Sequence, residues 1–152
     1  MIGLEDSARK LNNSLLHALL ASDYVLAIKA RNFHWNVKSD KFQMYHELFG
    51  MIYDNLNGQA DEIAERMRQL DGVPDGSLKG FLEHSFLKES PKPASAEGMV
   101  RALVADSDKM VSEMRLAIPK AEQNKDFGTM DLITKWMETH EKHLYFLRSH
   151  LV

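Results

Sequence analysis

Residues 42–70 read FQMYHELFGMIYDNLNGQADEIAERMRQL. Leu48, Ile52, Leu56, Ile63, Met67 and Leu70 recur at steps of three, four and seven, which places them on one stripe of a helix. The stripe is far longer than a strand and its end is marked. Asp71-Gly72-Val73-Pro74-Asp75-Gly76 sets a glycine just past the last periodic residue and a proline beyond it, the expected stop for a helix.

Upstream, a first helix is predicted from about Leu4 to Phe33. It carries two adjacent stripes: Leu11, Leu15, Ala18, Leu19 and Leu26, and beside them Leu16, Leu20, Tyr24 and Ala27. Two stripes make a broad face, so this helix should touch more than one neighbour. A short loop, Val37 to Lys41, joins it to the second helix. Downstream lies a long connection, Val73 to Ala94, holding three of the four prolines, with a short helix expected within Ser77 to Leu87. Ser95 is the expected N-cap of a third helix, with Glu97 in its first turn. That helix should bury Met99, Leu103, Met110 and Met114, and Pro119 should kink or end it. Thr129 is the expected cap of a fourth, running to Leu151 and burying Leu132, Ile133, Trp136, Met137, Leu144 and Leu147. No strand-like alternation and no repeat is present. The prediction is an all-α chain, one domain over 1–152: a four-helix bundle with a short helix in the long crossover between helices two and three. That connectivity is typical of ferritin-like folds.

The bulk composition sets limits. The chain has 152 residues, 44% of them hydrophobic, a net charge of −3 and no cysteine. Disulfides, thiolate metal sites and Cys nucleophiles are excluded, and no global basic field favours nucleic acid or an anionic membrane. The N-terminus lacks the basic start and apolar run of a signal peptide, and no apolar stretch approaches the roughly 20 residues that span a bilayer. A cytoplasmic protein with no membrane contact is expected.

Four residues carry the chemistry: His34 at the end of the first helix, and His46, Asp61 and Glu65 on the second. Asp61 and Glu65 are four apart, so both carboxylates project from one face. Imidazole nitrogen with carboxylate oxygen suits ferrous iron. His46 and Asp61, however, are separated by about 22 Å of helix at roughly 1.5 Å per residue. One chain cannot bring both to one ion. If the four act together, a second chain must supply its Asp61 and Glu65 to the first chain's histidines, as an antiparallel pair about a twofold axis would. On spacing alone the alternatives stay open, because a His at a helix end also reads as a cap and an i, i+4 acidic pair as a solvated face.

The stretch Lys29-Ala30-Arg31-Asn32-Phe33-His34-Trp35-Asn36-Val37 resembles the signature of the Dps (DNA protection during starvation) miniferritins. So do Phe42, His46-Glu47-Leu48-Phe49, Tyr53 and Asp61-Glu62-Ile63-Ala64-Glu65-Arg66, and in the last helix His140-Glu141-Lys142-His143-Leu144-Tyr145-Phe146-Leu147-Arg148-Ser149. The resemblance covers nearly the whole chain. It implies a twelve-subunit shell of tetrahedral symmetry that oxidises Fe²⁺ at intersubunit sites and stores the Fe³⁺ mineral. The implied ligands are His34, His46, Asp61 and Glu65, two irons per site, with hydrogen peroxide as the usual oxidant and dioxygen slower. One departure stands out: the family's Asp four residues after the second His is here Gly50. This removes a carboxylate and opens space, so one iron should bind weakly or draw on water, Glu47 or Asp54. Trp35, beside the first ligand, is expected to pack at an interface, with a family role near the iron as the alternative. Acidic pores in the family point to Asp126 and Asp131, with Glu122 as a further candidate.

The remaining signals are weaker. Nine Met residues at core spacing read as packing rather than heme ligands. His140 and His143 are three apart, not the four of a zinc-protease motif; His17, His84 and His150 show no partners. DNA binding is expected to be weak or absent, since the short segment before the first helix carries no Lys or Arg and the net charge is negative. A cage without oxidase activity is the other alternative, and Gly50 is its best argument.

Overall fold

In a computed structural model, residues 2–90 and 95–151 are described. The last part of the expected crossover, 91–94, lies outside them. All regular structure among the described residues is helical: α1 (Asp6–Asn36), α2 (Phe42–Gln69), α3 (Leu78–His84), α4 (Ala96–Gln123) and α5 (Phe127–Arg148). The chain makes two long hairpins, α1 along α2 and α4 along α5. They close into a bundle through α1 against α4 and α2 against α5, while α3 lies on α1. The broad face of α1 therefore meets three neighbours. One expected member is misplaced: Leu11 is 58% exposed, because the α1 stripe rotates out of the core toward the helix start.

The ends follow local chemistry. Ser77 Oγ accepts from the Gly80 N–H and Ser95 Oγ from the Gly98 N–H, capping α3 and α4. The cap of α5 is not Thr129. It is Asp126, whose carboxylate accepts from the Thr129 N–H, so the helix starts three residues earlier. Helix α2 ends in a left-handed residue, Asp71 (φ 60°), and the Gly72 N–H returns to the Met67 carbonyl at 2.8 Å. Gly72 makes room for a neighbour: a Cβ there would lie 2.2 Å from Asn13 Oδ1, so the Asn13 side chain, bonded to the Leu70 carbonyl, would have to move. Lys125 (φ 59°) ends α4 the same way, with the Asp126 N–H on the Ala121 carbonyl. Pro119 does not end α4, which runs on to Gln123.

The core is a continuous stack that includes Leu16, Leu20, Leu26, Ile52, Leu56, Ile63, Leu103 and Met110, with Met99 and Met114 as filler. Phe33 of α1 meets Phe49 of α2 edge to face, ring centroids 6.1 Å apart. Each such buried ring contributes about 1.5–3 kcal/mol. This pair fixes how the end of α1 meets the start of α2, where His34 and His46 lie. Lys29 reaches across to Asp106 in a largely buried ion pair between α1 and α4.

Candidate metal centre

His34 sits in the last turn of α1 and His46 in the first turn and a half of α2. The tight turn between these helices stacks the two rings, centroids 3.6 Å apart and 21° from parallel. Each ring is tied to the other residue's backbone: His34 Nδ1 is 2.6 Å from the His46 carbonyl, and His46 Nδ1 is 2.9 Å from the His34 carbonyl. A carbonyl only accepts, so each Nδ1 carries the hydrogen and donates. In a neutral ring with its hydrogen on Nδ1, Nε2 holds the lone pair, the form in which imidazole binds a metal. Phe42 stacks on His46 at 5.0 Å, and Tyr53 sets its edge against His34 at 5.3 Å with the Arg31 guanidinium over its ring.

Gly50 lies directly under this pair. A Cβ there would stand 3.3 Å from both Cε1 and Nδ1 of His34. The expected open space is therefore absent, because the His34 ring occupies it. Glu47 and Asp54 are exposed, and Glu47 accepts from the Gln43 amide at 2.8 Å.

Asp61 and Glu65 are exposed on the same face of α2, one turn apart. Among the described residues neither pairs with a cation; their neighbour Glu62 does, with Lys135 at 2.9 Å. No three His, Asp or Glu side chains among the described residues of one chain gather around a point. The fold thus brings His34 to His46 and leaves the two carboxylates far along α2. Beside Glu65, a recess of about 320 Å³ between α2 and the start of α5 is lined by Glu62, Arg66, Asp131 and Lys135 among others.

Of the expected pore residues, Asp131 and Glu122 are exposed and Asp126 is not. Asp126 is 2% exposed, and its oxygens accept from Arg66 (2.6 Å), Asn12 (2.7 Å) and both the backbone and hydroxyl of Thr129. Burial pushes its carboxyl up, but those donors outweigh burial and hold it below the ordinary range. A carboxylate so engaged cannot line a channel; Asp126 is a buried cap and ion-pair partner. Trp35 is 69% exposed and Phe42 47% exposed, next to the histidines.

Two groupings escaped the sequence. His17, read as unpartnered, faces His84 of α3 with ring centroids 4.2 Å apart. His140 and His143 are buried in the bundle beside Asp23 and Gln59. The second grouping left a trace: Asp23 falls in the same helical stripe as Leu16, Leu19 and Leu26, a charge in an apolar row.

A family model described as a ferritin-like domain matches residues 13–152. The chain is 39% identical over 150 residues to an uncharacterised low temperature-induced protein of Nostoc, covering 97% of this chain and 84% of that one. It is 36% identical over 137 residues to DNA protection during starvation protein 2 of Bacillus anthracis, covering 90% and 94%. Its fold superposes on the crystal structure of a Dps protein from Bacillus brevis with a TM-score of 0.94 at 33% identity, covering 98% of this chain and all of that one. The Dps protein of Vibrio cholerae, described as a member of a broad superfamily of ferritin-like diiron-carboxylate proteins, gives 0.96 at 28% identity over 100% and 96%. The chain belongs to the ferritin-like family, in its Dps (DNA protection during starvation) branch. No described helix is long and apolar enough to cross a membrane.

Proposed function

We propose that this chain is one subunit of an iron-storing cage and that pairs of chains oxidise Fe²⁺ where they meet. The observation that carries this reading is the reciprocal tie between His34 and His46, which stacks the two imidazoles and engages Nδ1 of each with the backbone, leaving Nε2 of each as the nitrogen for a metal. Fixing the outer nitrogen of a ligating His is how proteins preset a metal site. Asp61 and Glu65, exposed on one face and without a cation partner among the described residues, supply the negative charge from a second chain. Family membership supports the dodecameric shell with twofold sites, and the exposed Asp131 and Glu122 are the residues for an acidic entry pore. Two Fe²⁺ give one electron each to hydrogen peroxide, which takes up two protons and leaves as two waters; dioxygen is the slower oxidant. The carboxylates neutralise the cation, and the histidines position it. The ferric product is stored inside.

Replacing Asp61 and Glu65 together by Ala tests this. Rapid iron oxidation, followed by ultraviolet absorbance after adding Fe²⁺ and peroxide, is expected to fall at least tenfold, given the 10–100-fold typical of lost metal-site groups. An unchanged rate rejects the reading and leaves an oxidase-free cage, the alternative that Gly50 favours by withholding a carboxylate.

A further inference from the structure

The middle of the bundle holds polar groups that the intersubunit chemistry does not use. Asp23 of α1, Gln59 of α2 and His140 of α5 are completely buried, and His143 is 1% exposed. His140 Nε2 lies 3.6 Å from Asp23 Oδ1 and 3.2 Å from the Gln59 side-chain amide. His143 Nε2 lies 3.1 Å from the Asn55 amide. Among the described residues both Asp23 oxygens, Gln59 Oε1 and the Nδ1 atoms of both histidines have no hydrogen-bond partner. Buried polar atoms without partners are costly and uncommon, and a cluster of them marks a place for water or an ion.

The spacings favour an ion. At 3.6 Å, Asp23 and His140 are too far apart for a hydrogen bond. They are also too close for a bridging water, whose two legs of about 2.8 Å at a tetrahedral angle would hold them about 4.5 Å apart. Two donors on one first-row cation, each about 2.1 Å from it at a tetrahedral angle, lie about 3.4 Å apart. The observed 3.6 Å lies close to that value, while the 3.2 Å between His140 Nε2 and Gln59 Nε2 fits both a shared cation and a hydrogen bond. A half-turn of the Gln59 amide exchanges its nitrogen for the orphaned Oε1 and makes it a donor to the same point. Burial lowers His140 to about 4 and His143 to about 3, so both rings are neutral near pH 7, the state that binds metal. Burial also raises the Asp23 carboxyl well above the ordinary range, against a smaller opposing influence of the Gln59 side chain, so an entering cation displaces its proton.

We propose that Asp23, Gln59 and His140 form an occluded site for one first-row divalent cation inside each bundle, separate from the centre shared between chains. The site has one carboxylate, one imidazole and one amide, so it is not a gathering of three acids or histidines, of which the described residues contain none. Entry is from a surface recess of about 350 Å³ between α2 and α5. Asp54 and Lys142 line it, and its wall includes Asn55, Trp136 and His143. The T-shaped approach of His143 to His140, centroids 5.8 Å apart, continues that path inward. The site shares no ligand with the centre between chains.

The test uses Co²⁺, whose visible absorption reports its ligands. In the full-length Asp61→Ala/Glu65→Ala protein, with the shared centre silenced, one tightly held Co²⁺ per chain is expected. Adding Asp23→Leu, which fills the volume without a donor, should abolish it. Retention of the ion in that triple variant, or no Co²⁺ in the double variant, overturns the proposal. Should the Leu variant not fold, an anomalous difference map from Co²⁺-soaked wild-type crystals decides. A peak within about 2.5 Å of His140 Nε2 is expected, and water or empty density there refutes the site.

Discussion

At position 50 a side chain would have to share space with an imidazole. The His34 ring is held on both sides, by its bond to the His46 carbonyl and by the stack on His46, so it cannot retreat freely from a contact at 3.3 Å. Gly50→Ala should therefore leave stability within about 1 kcal/mol of wild type, the helical preference for Ala offsetting the crowding. Metal affinity should fall roughly tenfold through the displaced ligand. Calorimetric titration with Zn²⁺ beside a thermal melt checks both, and equal affinities would show that the glycine merely leaves room. Asp126 offers a second residue-scale prediction. Its removal strands the largely buried Arg66 and uncaps α5, so Asp126→Ala should lower stability by about 3 kcal/mol, read by urea unfolding. His34, His46, Asp61 and Glu65 stand out in the sequence through the family resemblance, since on spacing alone a histidine at a helix end and an i, i+4 acidic pair read equally as a cap and a solvated face. The tie between the histidines was not legible, since it depends on two backbone carbonyls brought together by tertiary packing. Asp126 misled because an acid ahead of a helix reads equally as a cap and as a channel residue; its buried partners Asn12 and Arg66 are 114 and 60 positions away.

Among the elements, α3 is the one held by few contacts. Tyr24 stacks on Phe81 at 4.1 Å, Ser22 bonds Ser85 and the Phe86 N–H, and His17 faces His84. Burial lowers the His17 pKa, repulsion from His84 lowers it further, and Asp75 opposes both. A base whose folded pKa is depressed contributes stability above its unfolded value of 6.5, and that contribution is lost as pH falls below it. The melting temperature should thus drop between about pH 7.5 and 5.5. His84→Gln should drop less over the same window; parallel curves for the two proteins would exclude the repulsion. The elements themselves were largely readable from sequence, including the short helix in the crossover and the Ser95 cap. Of the two effects expected of Pro119, ending the helix does not occur. The proline removes one N–H donor in the last turns of α4, while Ala121 is still drawn into the core, and tertiary burial outweighs one lost bond. Likewise the stop after α2 came from Gly72, but the left-handed residue is Asp71.

For the whole molecule, the unburied face matters most. Trp35 and Phe42 are exposed large side chains beside the histidine pair, and aromatic anchors of this kind dominate protein interfaces. Trp35→Asp should shift the protein to smaller species in light scattering after size-exclusion chromatography, and an unaltered mass would remove Trp35 from the contact. The bundle was legible from helix number and crossover length. The sequence argues for an assembly only through an impossibility, the distance between His46 and Asp61 along one straight rod. That distance has a thermodynamic side. A cation that needs donors from both ends of α2 acts as a crosslink between copies, so it must favour association by as much as association favours its capture. Dilution should then strip metal from the protein, and chelators should loosen it into subunits, each effect drawing on the same linkage.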